Sequence, residues 1–285
     1  MVVFGRTLLP FQGLLAMPTV LSENEVRRYR ADGFLVPSFR LAEDVVDRLH
    51  DATERLVTER PELIDHPIIG PHLPGGGMHG LHTDGTFLDV ATHTPVLDLV
   101  EQLVGPDLIL WNTLLFYKRA VEGPSAPWHR DGFGYPIEPI ATTSIWIAIT
   151  PSTVDNGCLR FIPGSHLTTD PGVHDSTPKP DEMFSASLDP AVFDSSAAVD
   201  VELQPGQLVI FDVYTVHGSK ANLGTIPRVG LSCRYMPGTS VYHHDRAEVR
   251  DQPGYGHESR ALMLVRGQDR TGRNDFERGH ARIEG

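Results

Sequence analysis

Leu208-Val209-Ile210-Phe211-Asp212-Val213-Tyr214-Thr215-Val216-His217 is the stretch on which the fold of this chain turns. Its β-branched and aromatic residues form a short apolar run bounded by turn formers, which predicts a buried strand ending in a histidine. The same pattern repeats outward from it: Leu108–Lys118, Thr143–Ile149, Leu159–Ile162, Val199–Leu203 and Arg228–Tyr235 are all short, rich in β-formers and separated by turns. Together they describe an antiparallel β-sandwich or barrel.

Helices precede this β-rich half. Ser22 followed by Glu25 is a capping box opening a helix to about Ala31, where Gly33 supplies a left-handed stop, and Phe34–Val36 follows as a short strand. From about Leu41, the residues Val45, Val46, Leu49, Ala52 and Leu56 recur at helical spacing until Pro61. A further short helix runs from about Pro95 to Val104 and ends at Gly105-Pro106. The class is therefore mainly β with flanking α-helices. Residues 61–86, punctuated by Pro61, Pro67, Pro71, Pro74 and Gly75-Gly76-Gly77, predict a long irregular loop of the kind that serves as a lid. The Pro- and Asp-rich residues between Thr168 and Ala198 predict an excursion over the barrel mouth. Residues 17–285 read as a single domain and residues 1–16 as a disordered N-terminal extension, because Arg6, Pro10 and Gln12 interrupt what would otherwise resemble a signal peptide.

Composition narrows the function classes. The 285 residues carry a formal net charge of -13, with the Lys and Arg dispersed, which argues against nucleic acid and against an anionic membrane as partner. No segment reaches the roughly 20 apolar residues of a membrane span. Cys158 and Cys233 are far apart and lack zinc-knuckle or redox spacing, so they read as free thiols in a reducing cytoplasm. Nothing in the sequence fixes the oligomeric state.

The chemistry is carried by Trp128-His129-Arg130-Asp131-Gly132. Residues two apart on a strand share a face, so His129 and Asp131 are expected to converge on one ion, with His217 as third ligand from another strand. Two histidines and one carboxylate form the facial set of iron(II) oxygenases, which leaves coordination positions open. The chain has 14 histidines, and His82-Thr83-Asp84-Gly85 has the same shape. That rival lies between a glycine-rich loop and a helix and reads as an Asx-type turn, or as a lid touching substrate through Met78, His79 or His82. Arg228 lies beyond a turn-rich connection from His217 and could grip a carboxylate through two parallel charge-assisted hydrogen bonds.

The string Asp155-Asn156-Gly157-Cys158-Leu159-Arg160-Phe161-Ile162-Pro163-Gly164-Ser165-His166, between the triplet and the distal histidine, resembles the phytanoyl-CoA dioxygenase family of 2-oxoglutarate oxygenases. The order of motifs from Leu21 to about Pro237 resembles it too. The resemblance implies a double-stranded β-helix, the cupin-like jelly-roll barrel. It implies iron(II) on His129, Asp131 and His217, with 2-oxoglutarate and dioxygen as co-substrates and Arg228 on the far carboxylate. Ser219, Asn112, Lys118 and Trp146 match neighbourhoods lining the co-substrate site, while His166 and Asp155-Asn156-Gly157 read as turns shaping the rim. The implied reaction is hydroxylation of an aliphatic carbon of a small organic substrate, in specialised metabolism, with release of succinate and carbon dioxide. Desaturation, epoxidation and cyclisation are further outcomes at the same site, and retention of Asp131 sets the chain apart from halogenases. The competing reading is a cupin-like metalloenzyme independent of 2-oxoglutarate, which has no use for Arg228. Candidate substrate contacts are Met78, His79 and His82, then Tyr135, Arg160, Arg234 and His243 with Tyr242 and His244; their basic members suggest an anionic substrate.

Overall fold

The computed structural model describes residues 21–73, 81, 83–170, 172–246 and 256–280. The expectations for residues 1–16 and for Met78, His79 and His82 therefore lie outside the described residues. Helix α1 (Glu23–Asp32) begins and ends where the sequence signals it: Ser22 Oγ accepts from Glu25 N at 3.3 Å, and Glu25 in turn accepts from Ser22 N at 2.8 Å. Gly33 closes it at φ 83°. Helix α2 (Glu43–Glu59) buries the predicted stripe from Val45 to Leu56. The described part of the stretch read as one irregular loop is not irregular throughout. It contains strand β2 (Pro67–Ile69), after β1 (Phe34–Leu35), and it is followed by a short helix, α3 (Thr86–Ala91), which was not anticipated. Helix α4 (Thr94–Val104) completes the helical front.

The barrel strands are β3 (Leu108–Lys118), β4 (Ala126–His129), β5 (Ile137–Glu138), β6 (Thr143–Ala148) and β7 (Leu159–Phe161). The Thr168–Ala198 excursion holds a small hairpin of β8 (His174–Asp175) and β9 (Ser187–Leu188). There follow β10 (Val199–Val201), β11 (Leu208–Asp212), β12 (His217–Ser219), β13 (Arg228–Pro237), β14 (Val241–Tyr242) and β15 (Met263–Arg266). A seven-stranded sheet runs β1-β11-β6-β13-β3-β15, with β2 also on β3, and faces a four-stranded sheet ordered β10-β7-β12-β4. All the ladders are antiparallel, so the architecture is a jelly roll.

The two faces of the large sheet do different jobs. On β13, Val229, Leu231, Cys233 and Tyr235 point outward and pack with α2, α3 and α4 into the main apolar core. The alternate residues Arg228, Ser232 and Arg234 point into the barrel and line its cavity. Period-two alternation thus puts the helices behind the sheet and the polar side chains between the sheets.

Gly230 keeps that alternation but has no side chain, and the space it leaves is filled by Trp146. A Cβ built there would lie 1.9 Å from Trp146 Cζ2. Gly230→Ala is therefore expected to force the indole off its rotamer, costing roughly 1–3 kcal/mol of stability and lowering affinity for any ligand the indole supports. Urea melts and ligand titration of the variant check both, and an unchanged pair of values would mean that the indole does not depend on this gap.

Candidate metal centre

Strands β4 and β12 are neighbours, and His129 and His217 are direct partners on that ladder. Side chains directly opposite each other in an antiparallel pair share a face, and the two rings stand 4.1 Å apart between centroids. Asp131 reaches them by a different route from the one expected. The strand ends at His129, so Asp131 lies in the following turn, not on the same strand face. Gly132 N donating to Val213 O at 3.0 Å fixes that turn against the end of β11, and Arg130 N donating to His174 Nε2 at 3.2 Å ties it to the excursion. One donor atom from each of His129, Asp131 and His217 then lies within 4.8 Å of the others, all three residues being buried.

The hydrogen bonds around the triad prepare it as a ligand set. His129 Nδ1–H donates to Pro127 O at 2.9 Å and His217 Nδ1–H to Thr215 O at 3.0 Å. Each ring is thereby held in the tautomer that leaves the Nε2 lone pair unprotonated. Burial lowers the pKa of His217 even against the attraction of Asp131, which favours the neutral, ligating form. Burial alone would raise the Asp131 carboxyl, but the neighbouring Arg234 guanidinium leads the interactions that outweigh it and hold the group below the usual carboxylate range. Ser144 Oγ donates to Asp131 Oδ2 at 3.3 Å. Two neutral imidazoles and one ionised carboxylate, dry and convergent, fit a divalent first-row cation.

At the other end of the same cavity Arg228 is buried at 2% exposure. Its Nε and Nη2 both donate to Gly157 O, at 3.1 and 3.0 Å, and Nη2 also donates to Ser219 Oγ at 3.1 Å. Burial pulls the guanidinium pKa down to about 10, where it is still charged at neutral pH. Lys118, the ladder partner of Arg228, donates from Nζ to Ser219 Oγ at 2.7 Å and to Lys220 O at 2.6 Å. Burial, and then the Arg228 charge, push its pKa well below the ordinary lysine value. The Trp146 ring lies 5.2 Å from the guanidinium carbon of Arg228. Its buried indole N–H and the Ser232 hydroxyl, both on the cavity wall, have no hydrogen-bond partner among the described residues. A buried guanidinium and two orphaned polar groups on the wall, with Lys118 linked to the guanidinium through Ser219, suit a small carboxylate ligand.

Not every sequence candidate comes to this cavity. Asn112 is buried at the Arg234 level of the sheet, where its Oδ1 accepts from Arg260 Nη1 at 3.1 Å, and it is not among the residues that line the cavity. Arg160 is also displaced: its strand neighbours Leu159 and Phe161 point inward, and it turns outward to Asp200 at 2.7 Å. His243 sits on the rim beside Glu138, with Nε2 3.3 Å from its carboxylate. Tyr242 bonds the His257 ring and backbone, and His244 Nε2 pairs with Arg260 O. Tyr135 packs edge-on against Trp111 and beneath the Arg234 guanidinium. Arg234 does line the cavity, yet its Nη2 donates to Asp131 at 2.7 Å. The rival Asp84 is bound to Arg55 and caps Thr86 N at 3.0 Å, the Asx-type geometry expected of it. His166 accepts no ligand role either, its Nε2 lying 3.1 Å from Arg30 O.

Several contributors are not signalled as site residues by the sequence, Ser232, Phe116 and Phe211 among them. Gly157 was read as a turn residue, and it is one at φ 76°, yet its carbonyl orients Arg228. A Cβ there would meet Lys220 O at 2.3 Å. Met183 and Phe184, within the predicted mouth-covering excursion, line the cavity, with the Phe184 ring edge-on to His129 at 4.9 Å. Only the expectation of an excursion over the mouth pointed toward them.

Two imidazoles and a carboxylate brought together inside a jelly roll are the donor set associated with non-haem iron(II) oxygenases. The chain belongs to the phytanoyl-CoA dioxygenase (PhyH) family, whose model matches residues 29–230. The phytanoyl-CoA dioxygenase domain-containing protein 1 homolog of Caenorhabditis briggsae is 30% identical over 166 residues, covering 55% of this chain and 57% of that relative. The match thus spans little more than half the relative's length. Among solved structures, the non-heme monooxygenase ThoJ in its apo form superposes with a TM-score of 0.66 at 25% identity, covering 86% of this chain and 84% of that one. SnoN, a non-heme alpha-ketoglutarate-dependent epimerase from nogalamycin biosynthesis, superposes with a TM-score of 0.60 at 27% identity, covering 82% and 90%. Among the described residues no helix is long and apolar enough to cross a membrane.

Proposed function

We propose that His129, Asp131 and His217 hold iron(II), that Arg228 receives the far carboxylate of 2-oxoglutarate, and that the chain hydroxylates an aliphatic carbon of a small organic substrate. The observation that carries this reading is the cavity itself, with the three convergent donors at one end and the buried guanidinium at the other. When bound, iron, 2-oxoglutarate and dioxygen supply the oxidising power, with release of succinate and carbon dioxide. The chain supplies binding, aim and dryness.

Arg228 offers positive charge to the incoming dianion, and Ser219 links it to Lys118. Trp146 presents its N–H from the wall. Phe161 and Phe211 pack against His217, and Phe184 against His129, so the ligands sit in apolar surroundings that exclude water. Pro67, Phe116, Met183 and Phe184 line the same cavity and favour an apolar portion in the substrate. The case for an anionic substrate weakens, because Arg160 and Arg234 are each paired with a carboxylate. Cys158 and Cys233 are both free and buried, which supports a reducing, cytoplasmic setting.

The test is anaerobic addition of iron(II) and 2-oxoglutarate to the folded protein. The weak visible charge-transfer band of the chelate is expected, followed by succinate release and a product heavier by one oxygen when a true substrate and air are admitted. Folded protein without the band would sink the proposal, while the band with a product of unchanged mass would replace hydroxylation by epimerisation.

A further inference from the structure

Arg234 occupies the interior face of β13, between its ladder partners Asn112 on β3 and Ser144 on β6. The β3 ladder is irregular at this point. Arg234 pairs with Asn112 and the next residue pairs with Leu110, so Trp111 is an extra residue opposite no partner. Such a bulge re-aims side chains, and here the Trp111 ring comes to lie 5.8 Å from the Arg234 guanidinium carbon, with the Tyr135 ring 5.2 Å away. Beside these rings, which also contact each other, the guanidinium reaches Asp131, its Nη2 donating to Oδ1 at 2.7 Å. The two side chains are 6% and 3% exposed.

Burying a carboxylate without a partner is strongly unfavourable, and breaking a buried pair from one side leaves that penalty in place. Something must therefore hold Asp131 before any metal arrives. Arg234 is placed to do so, with its own position fixed by a strand, a bulge and two aromatic rings.

We propose that Arg234 is a positioning residue for Asp131: it serves as the carboxylate's counter-ion in the metal-free chain, keeps it turned toward the two imidazoles, and shares it with the metal afterwards. This rests on the reading of His129, Asp131 and His217 as the metal site. Two consequences follow from charge alone. The site is preformed without metal, so folding does not wait for it. And the incoming cation meets a carboxylate already half satisfied, so its affinity is moderated by the guanidinium.

The experiment is a set of thermal melts of wild type, Arg234→Gln and Arg234→Lys, each metal-free and with saturating manganese(II). Metal-free Arg234→Gln is expected to melt roughly 6–15 °C below wild type. Manganese(II) should recover at least half of that loss, so that the metal-induced rise in Tm is larger in Arg234→Gln than in wild type. Arg234→Lys, which keeps the charge, should fall between the two. In an Asp131→Asn background, Arg234→Gln should no longer enlarge the manganese response. Equal losses with and without metal would make Arg234 a merely structural arginine and overturn the proposal, as would no loss at all. Should Arg234→Gln fail to fold without metal, Arg234→Lys carries the same comparison. A wild type whose Tm does not respond to manganese(II) would count instead against the metal site itself.

Discussion

Replacing Arg228 with methionine should raise the 2-oxoglutarate concentration needed for half-saturation by about 30- to 3,000-fold, the loss expected when one partner of a buried charged hydrogen-bonded pair is truncated. The guanidinium is already oriented by Gly157 O and Ser219 Oγ, so little of its binding strength is spent on ordering a flexible side chain. Methionine keeps most of the volume and leaves Lys118 and Trp146 in place, which confines the effect to the missing charge. Metal affinity should stay within about twofold, since Arg228 hydrogen-bonds no member of the triad. Arg228→Lys should fall between, retaining charge but losing the two-pronged geometry. Titration of the visible chelate band reads all three proteins. Unchanged co-substrate affinity in Arg228→Met would return the chain to the competing reading, a cupin-like metalloenzyme without 2-oxoglutarate.

The second large effect is expected at His217. His217→Ala removes one of three donors and should abolish the chelate band at micromolar iron(II), with turnover falling by on the order of 10³-fold or more, since several kcal/mol of metal-derived stabilisation go with it. The substitution also opens a hole, because the imidazole packs against Phe161 at 5.7 Å and Phe211 at 4.7 Å between centroids. His217→Gln separates the two consequences: it restores much of the volume without restoring the ligand. If the glutamine variant binds metal as wild type does, His217 is a packing residue and the triad is wrong.

How much of this is legible in the sequence depends on where each feature's information lies. Segments rich in β-formers and bounded by turn residues, such as Leu108–Lys118 and Arg228–Tyr235, are legible because neighbouring residues favour the same structure. The helix stripe at Val45, Val46, Leu49, Ala52 and Leu56 is legible likewise. Strands β5, β8, β9 and β14 are not, because two residues carry no pattern of their own; β1, equally short, is legible because the helix stop at Gly33 marks its start. Strand β2 was hidden by Pro67, which is tolerated as the first residue of a strand, and α3 is only six residues long.

The site divides in the same way. His129, Asp131 and His217 were legible as residue types in a chemically meaningful order, although the strand argument for Asp131 was wrong in detail: a turn, not a shared strand face, delivers it. Arg228 was legible by its position after His217. The Arg234–Asp131 pair was not, because its members are 103 residues apart and only the register of β13 brings them together. Gly157 carried its signal as a turn former, which conceals that its carbonyl is what matters.

The direct rung between His129 and His217 has one more consequence, for how such a protein can diversify. Their separation is set by the backbone ladder of two adjacent strands, a ruler built of main-chain hydrogen bonds that is indifferent to side-chain identity elsewhere. Met183 and Phe184 belong to a connection that touches this ruler without forming part of it. Loops around the mouth are therefore open to insertion, deletion and recomposition while the distance between the histidines stays fixed. A scaffold wired in this way can exchange one substrate for another without dismantling the proposed metal centre.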